Sequence, residues 1–281
     1  MRYKYVDDLS VLELVMLASL LSEYNFKQHV ASDIGIDEQY VAACNLKTQD
    51  NLDAISSWTS DNLMKLNEEK TKYMVFSRSQ TEFATRLTLN QNTVDRIEEI
   101  NLVGVWITTW LDWDKNTREL CKRAYARMTM LTKLKYVSVD TEELVHIYIL
   151  YIRSLLEYCS VVWHSTLTGE QCHNIERVQK LCLKIILGTE YDNYDQALQC
   201  CGLERLEVRR EQKCLNFGLK SLLHPVHSKM FPMNPQLDNC NTRNQEHFTV
   251  NWARTESYRT SAVPYIQRML NEYVKNQQSN T

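Results

Sequence analysis

Apolar positions in the second half of the chain recur with the period of an α-helix. Over residues 115–135 they are spaced by four, four and three positions, which places them on one helical face. The members of this stripe are Leu120, Ala124, Met128 and Leu131. We therefore predict a helix that buries this stripe.

Capping signals mark the ends of further helices. Thr168 followed by Gln171 is a capping box and Gly188 is a C-terminal stop, so a helix is predicted between them, ending at Leu187. Similar signals and spacings predict three more helices, over about residues 140–162, 204–223 and 261–275.

The first half of the chain has shorter segments that alternate like strands. Residues 1–12 alternate on both sides of Asp7-Asp8, which is compatible with a β-hairpin whose tip is this acidic pair. Asn90-Gln91-Asn92 is a second turn signal, between segments 86–89 and 93–96. The remaining predictions are strands over residues 72–77 and 102–107, and helices over residues 11–24 and 48–66, the latter with Leu52, Ile55, Leu63 and Leu66 on its core face.

The composition favours helices and excludes two classes of nucleotide-binding protein. All four Pro residues lie at Pro225 or later, which disfavours a turn-rich sandwich or barrel. The six Gly residues are too dispersed for a dinucleotide-binding turn or a P-loop. The expected fold class is α+β and predominantly α.

Charge and cysteine content bear on the compartment. No stretch free of Asp, Glu, Lys and Arg approaches the roughly 18 apolar residues of a membrane span, and Asp7, Asp8 and Glu13 argue against a signal peptide. The nine Cys form no C-x-x-C pair, so we expect a reduced, intracellular protein of the cytoplasm or nucleus. One zinc arrangement is conceivable but fits no standard finger, with helix packing as its alternative; its members are Cys201, Cys214, His224 and His227.

The segment Tyr5-Val6-Asp7-Asp8 is the one that suggests catalytic chemistry. Adjacent carboxylates at a hairpin tip can hold divalent cations, as two-metal phosphoryl transfer requires. The tetrapeptide alone is equally typical of a solvated acidic turn.

An ordered series of segments follows this acidic pair. The series consists of residues 55–58 (ISSW), 63–72 (LMKLNEEKTK), 74–77 (MVFS), 102–105 (LVGV), 111–113 (LDW), 152–158 (IRSLLEY), 162–163 (VW), 175–180 (IERVQK), 185–188 (IILG), 203–206 (LERL) and 209–210 (RR). In this order, from Arg2 to about His224, the chain resembles the carboxyl-terminal portion of reverse transcriptases from non-LTR retrotransposons of the Jockey-like group.

The resemblance implies roles for the acidic pair and for one lysine. Asp7 corresponds to a catalytic metal ligand of the polymerase palm, and Asp8 to its supporting neighbour, with Mg²⁺ as the cofactor. Lys70 corresponds to a lysine proposed to protonate the leaving pyrophosphate. A solvated Lys70 that pairs with Glu68 or Glu69 is the alternative for this position.

The resemblance also implies contacts to nucleic acid. Leu102, Val103 and Gly104 correspond to the primer grip, although Asn101 and Val103 depart from the family's pattern. Gly104 either allows close approach of a primer strand or relieves a tight bend. A cationic helix follows where the family's thumb begins, and it can neutralise phosphates of an RNA template and DNA primer; the residues are Lys115, Arg118, Lys122, Arg123 and Arg127. An exposed helix face balanced by acids elsewhere is the alternative.

The implied organisation is a partial palm of β-hairpins and helices over residues 1–111, a helical thumb-like region over 112–187 and a helical C-terminal region with a Pro-containing loop over 188–281. Only four residues precede Tyr5, so we expect the other palm aspartate and the fingers to lie outside this sequence and the chain alone to be inactive. The function expected is that of a fragment of an RNA-directed DNA polymerase. The alternative is a non-catalytic helical module, derived from a retroelement, that binds nucleic acid or protein. The oligomeric state is open.

Overall fold

The computed structural model describes residues 4–5, 38–76, 86–234, 247–250, 252–253 and 255–279. The chain divides into two compact units, Met1–Asp112 and Trp113–Thr281. The described residues are predominantly helical with short strands, in agreement with an α+β fold class that is mainly α.

The first unit contains one long helix and eight short strands among its described residues. In chain order the elements are β1 (Lys4–Tyr5), α1 (Glu38–Asp61), β2 (Met64–Lys65), β3 (Lys72–Tyr73), β4 (Thr88–Leu89), β5 (Asn92–Thr93), β6 (Asp95–Arg96), β7 (Glu99–Leu102) and β8 (Val105–Thr108). They form four two-stranded ladders: β1–β2 and β3–β6 are parallel, whereas β4–β5 and β7–β8 are antiparallel.

A small hydrophobic cluster holds the described part of this unit together. Its buried members are Leu52, Leu87, Leu89 and Val94, with Leu66 and Tyr73 packed against them. The cluster therefore joins α1 to the β4–β5 hairpin. Gln49 of α1 adds two polar contacts, because its side-chain amide bonds the carbonyl and the amide N–H of Thr88, each at 2.9 Å.

The hairpin predicted around Asn90 is confirmed. Its turn is the two residues Asn90 and Gln91, with φ of 50° and 70°, the left-handed conformation that a tight hairpin turn requires. Asn tolerates this conformation better than most residues. The flanking strands are shorter than predicted, since β6 leaves the hairpin to pair with β3.

Two predictions in this unit are confirmed only in part. The helix predicted over 48–66 begins earlier and ends at Asp61, and Leu63 is exposed, with φ of 57°, instead of lying on a core face. The strand predicted over 102–107 is interrupted at residues 103 and 104, with Leu102 in β7 and residues 105–107 in β8. Val103 and Gly104, with φ of 47° and 85°, make the turn that joins β7 to β8.

The second unit is a cluster of helices. In chain order they are α2 (Asp114–Tyr136), α3 (Thr141–Leu156), α4 (Ser160–Trp163), α5 (Gly169–Leu187), α6 (Tyr194–Cys200), α7 (Leu206–Leu222), α8 (Glu256–Arg259) and α9 (Ala262–Ser279), with 3₁₀ turns His164–Thr166, Gly188–Glu190 and His227–Met230. The stripe predicted for α2 is confirmed, because all four of its members are buried, mainly against α5.

The ends of α5 agree with the capping signals. The Thr168 hydroxyl accepts a hydrogen bond from the amide N–H of Gln171 at 3.2 Å, and the Gln171 side chain accepts one from the amide N–H of Thr168 at 2.9 Å. Gly188 ends the helix with φ of 57°, where a side chain would be strained.

A single helix over 140–162 is a wrong prediction. Residues Tyr148–Arg153 of α3 form a π-helical turn, and the chain breaks before α4, where Cys159 has φ of 50°. In the described part of the chain, no single helix combines the length and apolarity of a membrane crossing. Only Thr141–Leu156 taken together with Ser160–Thr166, bent by 43°, passes that test.

A polar network inside the second unit links α3, α5, α6 and α7. The Tyr194 hydroxyl donates to Glu176, which also accepts the N–H of Leu206 at 3.2 Å. Gln179, fully buried, accepts from the Tyr148 hydroxyl and donates to the carbonyl of Glu204 at 2.9 Å. These bonds fix how the helices that carry the charged residues are placed.

Candidate nucleic-acid interface

The face of α2 opposite its buried stripe carries a concentration of cationic side chains. Lys122, Arg123 and Lys133 are exposed, and Arg118 has 69% of its side chain accessible. Between Asp114 and Tyr136 the helix has seven Lys and Arg residues against two carboxylates. We name the residues Lys115, Arg118, Lys122, Arg123 and Lys133 the α2 cationic face.

The positions on this face follow from the helical period. With 100° between successive residues, the buried positions of α2 centre on one side and those of the α2 cationic face lie around the other. Burial of the apolar stripe against α5 therefore turns the cations toward solvent. A rigid helix presents them in a row, and such a row can follow a phosphate backbone.

Two members of the α2 cationic face make intrahelical ion pairs. Arg118 contacts Asp114 at 2.7 Å, and Lys122 contacts Glu119 at 3.8 Å. Both cations and Asp114 are exposed to solvent, and Glu119 is half-buried. Ion pairs with exposed cations contribute little and are easily exchanged for a phosphate oxygen. Asp114 and Glu119 are therefore weak competitors for an anionic ligand.

Arg127, predicted with this set, faces a different neighbour. Its guanidinium donates to the carbonyl of Tyr151 at 2.5 Å and lies 4.5 Å from the centre of the Tyr151 ring. Arg127 thus links α2 to α3, and its guanidinium is occupied by this contact within the protein. Lys115 is half-buried at the start of the helix, so it contributes less accessible charge than Lys122 or Arg123.

A second charged cluster, around Glu157, has no counterpart in the sequence-based predictions. Glu157 is 5% exposed; it accepts from Arg209 Nε at 2.5 Å and contacts Lys213 Nζ at 2.7 Å and Arg153 Nε at 3.8 Å. Burial acts to raise the pKa of Glu157, but the bonds from Arg209 and Lys213 outweigh it and hold the pKa below its ordinary value. Only the spatial approach of residues about 50 positions apart reveals this cluster.

The Glu157 cluster is a fold-stabilising ion network. Arg209 also contacts Glu204, at 3.6 Å, so its guanidinium already has two carboxylates. The cluster joins the break after α3 to the first two turns of α7. The charges of this network are thus taken up by one another, whereas those of the α2 cationic face are directed to solvent.

The residues expected at the polymerase centre are only partly described. Asp7 and Asp8 lie outside the described residues, as does the helix predicted over 11–24. Lys70 is exposed in the turn before β3, where its backbone N–H donates to Asn67 Oδ1 at 3.1 Å. The neighbouring Glu68 accepts from the side-chain amides of Asn90 and Asn92, which lower the pKa of its carboxyl.

The primer-grip segment forms a tight hairpin. Leu102 pairs with Val105 as the last pair of the β7–β8 ladder, and Val103 is 59% exposed at the turn. The Gly104 N–H donates to Asn101 Oδ1 at 2.9 Å, so the asparagine that departs from the family's pattern caps this turn. Of the two explanations for Gly104, a tight bend is the one that its positive φ supports.

The described residues contain no group of three or more His, Cys, Asp and Glu side chains arranged to hold a metal ion. The zinc arrangement considered from sequence is not assembled. Cys214 is fully buried in a hydrophobic cluster with Phe231, Phe248, Ile266 and Leu270, and the His224 and His227 rings stack on each other at 4.2 Å.

No protein-family model matches the chain, and neither a curated protein nor a solved structure matches it. The assignment of function therefore depends on the physical properties of the surface and on the resemblance of the ordered segments.

Proposed function

We propose that this chain is part of an RNA-directed DNA polymerase of the non-LTR retrotransposon type, and that its α2 cationic face binds the phosphate backbone of an RNA template–DNA primer duplex. The observation that carries the proposal is the exposed row of cations on α2, opposed only by two weakly paired carboxylates. Such a face contacts phosphates and not the edges of bases, so binding is expected to be independent of base sequence.

The proposal explains why α2 is positively charged although the protein as a whole is negatively charged. The formal net charge of the protein is −3, so non-specific attraction of a polyanion to the whole molecule is unfavourable. Attraction must come from a local surface, and α2 provides one. Each phosphate that α2 neutralises releases condensed counterions. The binding constant therefore falls as salt is added, and a plot of its logarithm against the logarithm of the salt concentration has a slope of about −0.9 for each neutralised phosphate.

The proposal is tested by fluorescence anisotropy with a labelled RNA–DNA hybrid, titrated at several KCl concentrations. The test variant carries Lys115→Gln, Arg118→Gln, Lys122→Gln and Arg123→Gln. We expect weaker binding and a salt slope whose magnitude falls by about 3.

A charge-matched control variant separates a local site from net charge. Exposed cations outside α2 are replaced instead, by Lys65→Gln, Arg86→Gln, Lys220→Gln and Lys229→Gln. This variant has the same net charge as the test variant and should keep the parental affinity and salt slope. Equal losses in both variants would contradict a binding site on α2.

Catalysis is a separate part of the proposal. Asp7 and Asp8 offer the carboxylate oxygens that Mg²⁺ takes as ligands, and Mg²⁺ would supply charge neutralisation at the reacting phosphates. Asp7→Asn should leave duplex binding unchanged and remove any Mg²⁺-dependent primer extension. The chain alone is expected to show no primer extension, so the catalytic part is tested in a chain completed with the fingers and the other palm aspartate of a related polymerase. Duplex binding without extension by that completed chain would favour the second candidate, a non-catalytic helical module that binds nucleic acid.

The second candidate is favoured by one specific observation. The α2 cationic face lies wholly within the unit Trp113–Thr281 and needs no residue of the acidic segment. A chain that retained only this face would still bind a polyanion. The two candidates therefore share the binding test and differ in the primer-extension test of the completed chain.

A further inference from the structure

Helices α2 and α5 pack against each other in parallel and keep the same register from one end to the other. At their start, Trp113 Nε1 donates to Thr166 Oγ1 at 2.6 Å, between residues 53 positions apart in the chain. At their end, Lys135 Cε lies 3.8 Å from the point that a Cβ of Gly188 would occupy, and these two residues are also 53 positions apart. A residue of α2 is therefore level with the residue 53 positions further along, in α5.

This register places Tyr125 of α2 beside Arg177 of α5. Tyr125 is level with the buried Val178, and Arg177, the residue before it, is exposed to solvent. Arg127 lies on the opposite edge of the buried stripe and contacts α3, so Tyr125 lies on the edge that faces α5. In agreement, burial and the neighbouring Cys121 raise the pKa of the Tyr125 phenol, and the charge of Arg177 opposes this rise.

The boundary between the two helices carries both cations and accessible tyrosine rings. On the edge of α2 that holds Tyr125, Arg118 lies two turns before it and Tyr136 three turns after it. Tyr125 is 38% exposed and Tyr136 is 89% exposed. No carboxylate in the described part of the chain forms an ion pair with Arg177. We name Arg118, Tyr125, Tyr136 and Arg177 the α2–α5 seam.

The groups of the α2–α5 seam suit a strand whose bases are unpaired. The axes of packed helices are about 8–10 Å apart, so the boundary between them has room for one strand but not for a duplex. An aromatic ring stacks on a base only where the face of that base is open, as in a single strand. Tyrosine rings next to cations can therefore contact bases and phosphates of the same strand.

We propose that the α2–α5 seam binds single-stranded RNA, with Tyr125 stacked on an unpaired base and with Arg118 and Arg177 bound to phosphates on either side of it. The inference rests on the proposed function, because Arg118 is also part of the α2 cationic face that binds the duplex. An RNA template that continues past the end of the duplex passes from that face into the seam.

The first test measures the fluorescence anisotropy of a labelled oligouridylate, an RNA without stable base pairs, bound to the full-length protein. Tyr125→Leu should weaken binding about tenfold because it removes the ring, and Tyr125→Phe, which keeps the ring, should bind like the parental protein. The matched control is Tyr273→Leu on α9, at a tyrosine of 36% exposure, which should leave the affinity unchanged. Equal losses in Tyr125→Leu and Tyr273→Leu, or in Tyr125→Leu and Tyr125→Phe, would overturn the stacking role.

The fully paired RNA–DNA hybrid separates this inference from the proposed function. Tyr125→Leu should bind the hybrid with the parental affinity, because paired bases are closed to the ring. If hybrid binding depends on the α2 cationic face but oligouridylate binding is unchanged in Tyr125→Leu, the seam proposal fails and the proposed function stands. If the parental protein binds neither probe, both fail.

The phosphate contact of Arg177 is tested by the salt dependence of oligouridylate binding. Arg177→Gln should reduce the magnitude of the salt slope by about 0.7, the value for one phosphate of a single strand. Arg86→Gln replaces an exposed arginine of the first unit and should keep the parental slope. A parental slope in Arg177→Gln, or the same reduction in both variants, would show that Arg177 does not contact the strand.

Discussion

His164 shows how burial at a single residue makes the stability of the fold depend on pH. Burial, reinforced by the charge of Arg210, lowers the pKa of His164 to about 4. In the unfolded chain its pKa is about 6.5. Between these two pKa values the histidine is protonated in the unfolded state and neutral in the folded state, so protons stabilise the unfolded state. The free energy of unfolding is therefore unaffected by the protonation of His164 above about pH 6.5 and decreases as the pH falls from 6.5 toward 4.

We therefore predict that the free energy of unfolding falls by about 2–3 kcal/mol between pH 7 and pH 4.5, as measured by urea denaturation. His164→Gln should flatten this dependence, although it is expected to be less stable at pH 7. His173→Gln changes an exposed histidine on α5 and should keep the parental pH profile. Identical profiles for all three proteins would show that His164 does not carry the effect.

Glu157 gives a second prediction at the residue scale. Glu157→Gln removes the buried carboxylate that balances Arg209, Lys213 and Arg153, and should destabilise the protein by about 2–3 kcal/mol. The same denaturation assay measures it at pH 7. Because the pKa of Glu157 is lowered, the loss should shrink as the pH falls through that pKa.

Glu204→Gln is the matched control for this substitution. Glu204 also contacts Arg209, but 65% of its side chain is accessible. Exposed ion pairs contribute about 0–1 kcal/mol, so this variant should be close to the parental protein. If both variants lower the free energy of unfolding by the same amount, the burial of Glu157 is not the reason for the importance of its ion pairs.

At the scale of helices and strands, sequence signals predicted the structure correctly where it depends only on residues close together in the sequence. The capping box at Thr168, the stop at Gly188 and the apolar stripe of α2 all depend on neighbours within one or two turns, and each is confirmed. The exposed cations of α2 were predictable for the same reason, because the buried stripe fixes the opposite face.

The predictions failed where the structure depends on a contact between distant residues or on a single polar side chain within a strand-like segment. The break after α3 places Glu157 against Arg209, a contact between residues 52 positions apart. The turn at Val103 is stabilised by a side-chain contact from Asn101, a polar residue inside what otherwise resembles a strand. Neither Glu157 nor Arg210 stands out in the sequence, because each is distinguished only by its burial and its neighbours in the fold.

The packing of α7 on α9 leads to a prediction for Gly218. A Cβ built at this position would lie 2.6 Å from Ile266 Cγ2 and 3.3 Å from two carbons of Leu270. Ile266 and Leu270 are themselves buried, so they have little room to move. Gly218→Ala should therefore destabilise the protein by about 1–3 kcal/mol, despite the higher helix propensity of Ala, in a thermal or urea melt.

Gly169→Ala is the control at the first residue of α5. A Cβ there would have no neighbour within 4 Å, so the substitution should be neutral or slightly stabilising. A stabilising effect at Gly218 would mean that α7 and α9 separate easily to admit a methyl group.

At the scale of the whole molecule, the two units differ in how much core they contain. The described core of Met1–Asp112 centres on the four buried residues that join α1 to the β4–β5 hairpin. The unit Trp113–Thr281 buries apolar side chains from every long helix, α2, α3, α5, α7 and α9, along with the Glu176 and Gln179 network. Burial on this scale is what an independently folding domain requires.

We predict that residues 113–281, produced alone, fold cooperatively and keep the pH dependence that His164 confers. They should also bind the RNA–DNA hybrid with the salt slope of the full chain, because the α2 cationic face lies within this unit. Circular dichroism melts at pH 7 and pH 5 test the first statement, and anisotropy titrations test the second. A broad, non-cooperative melt would show that this unit depends on the rest of the chain, whereas a cooperative melt without binding would place the nucleic-acid site elsewhere.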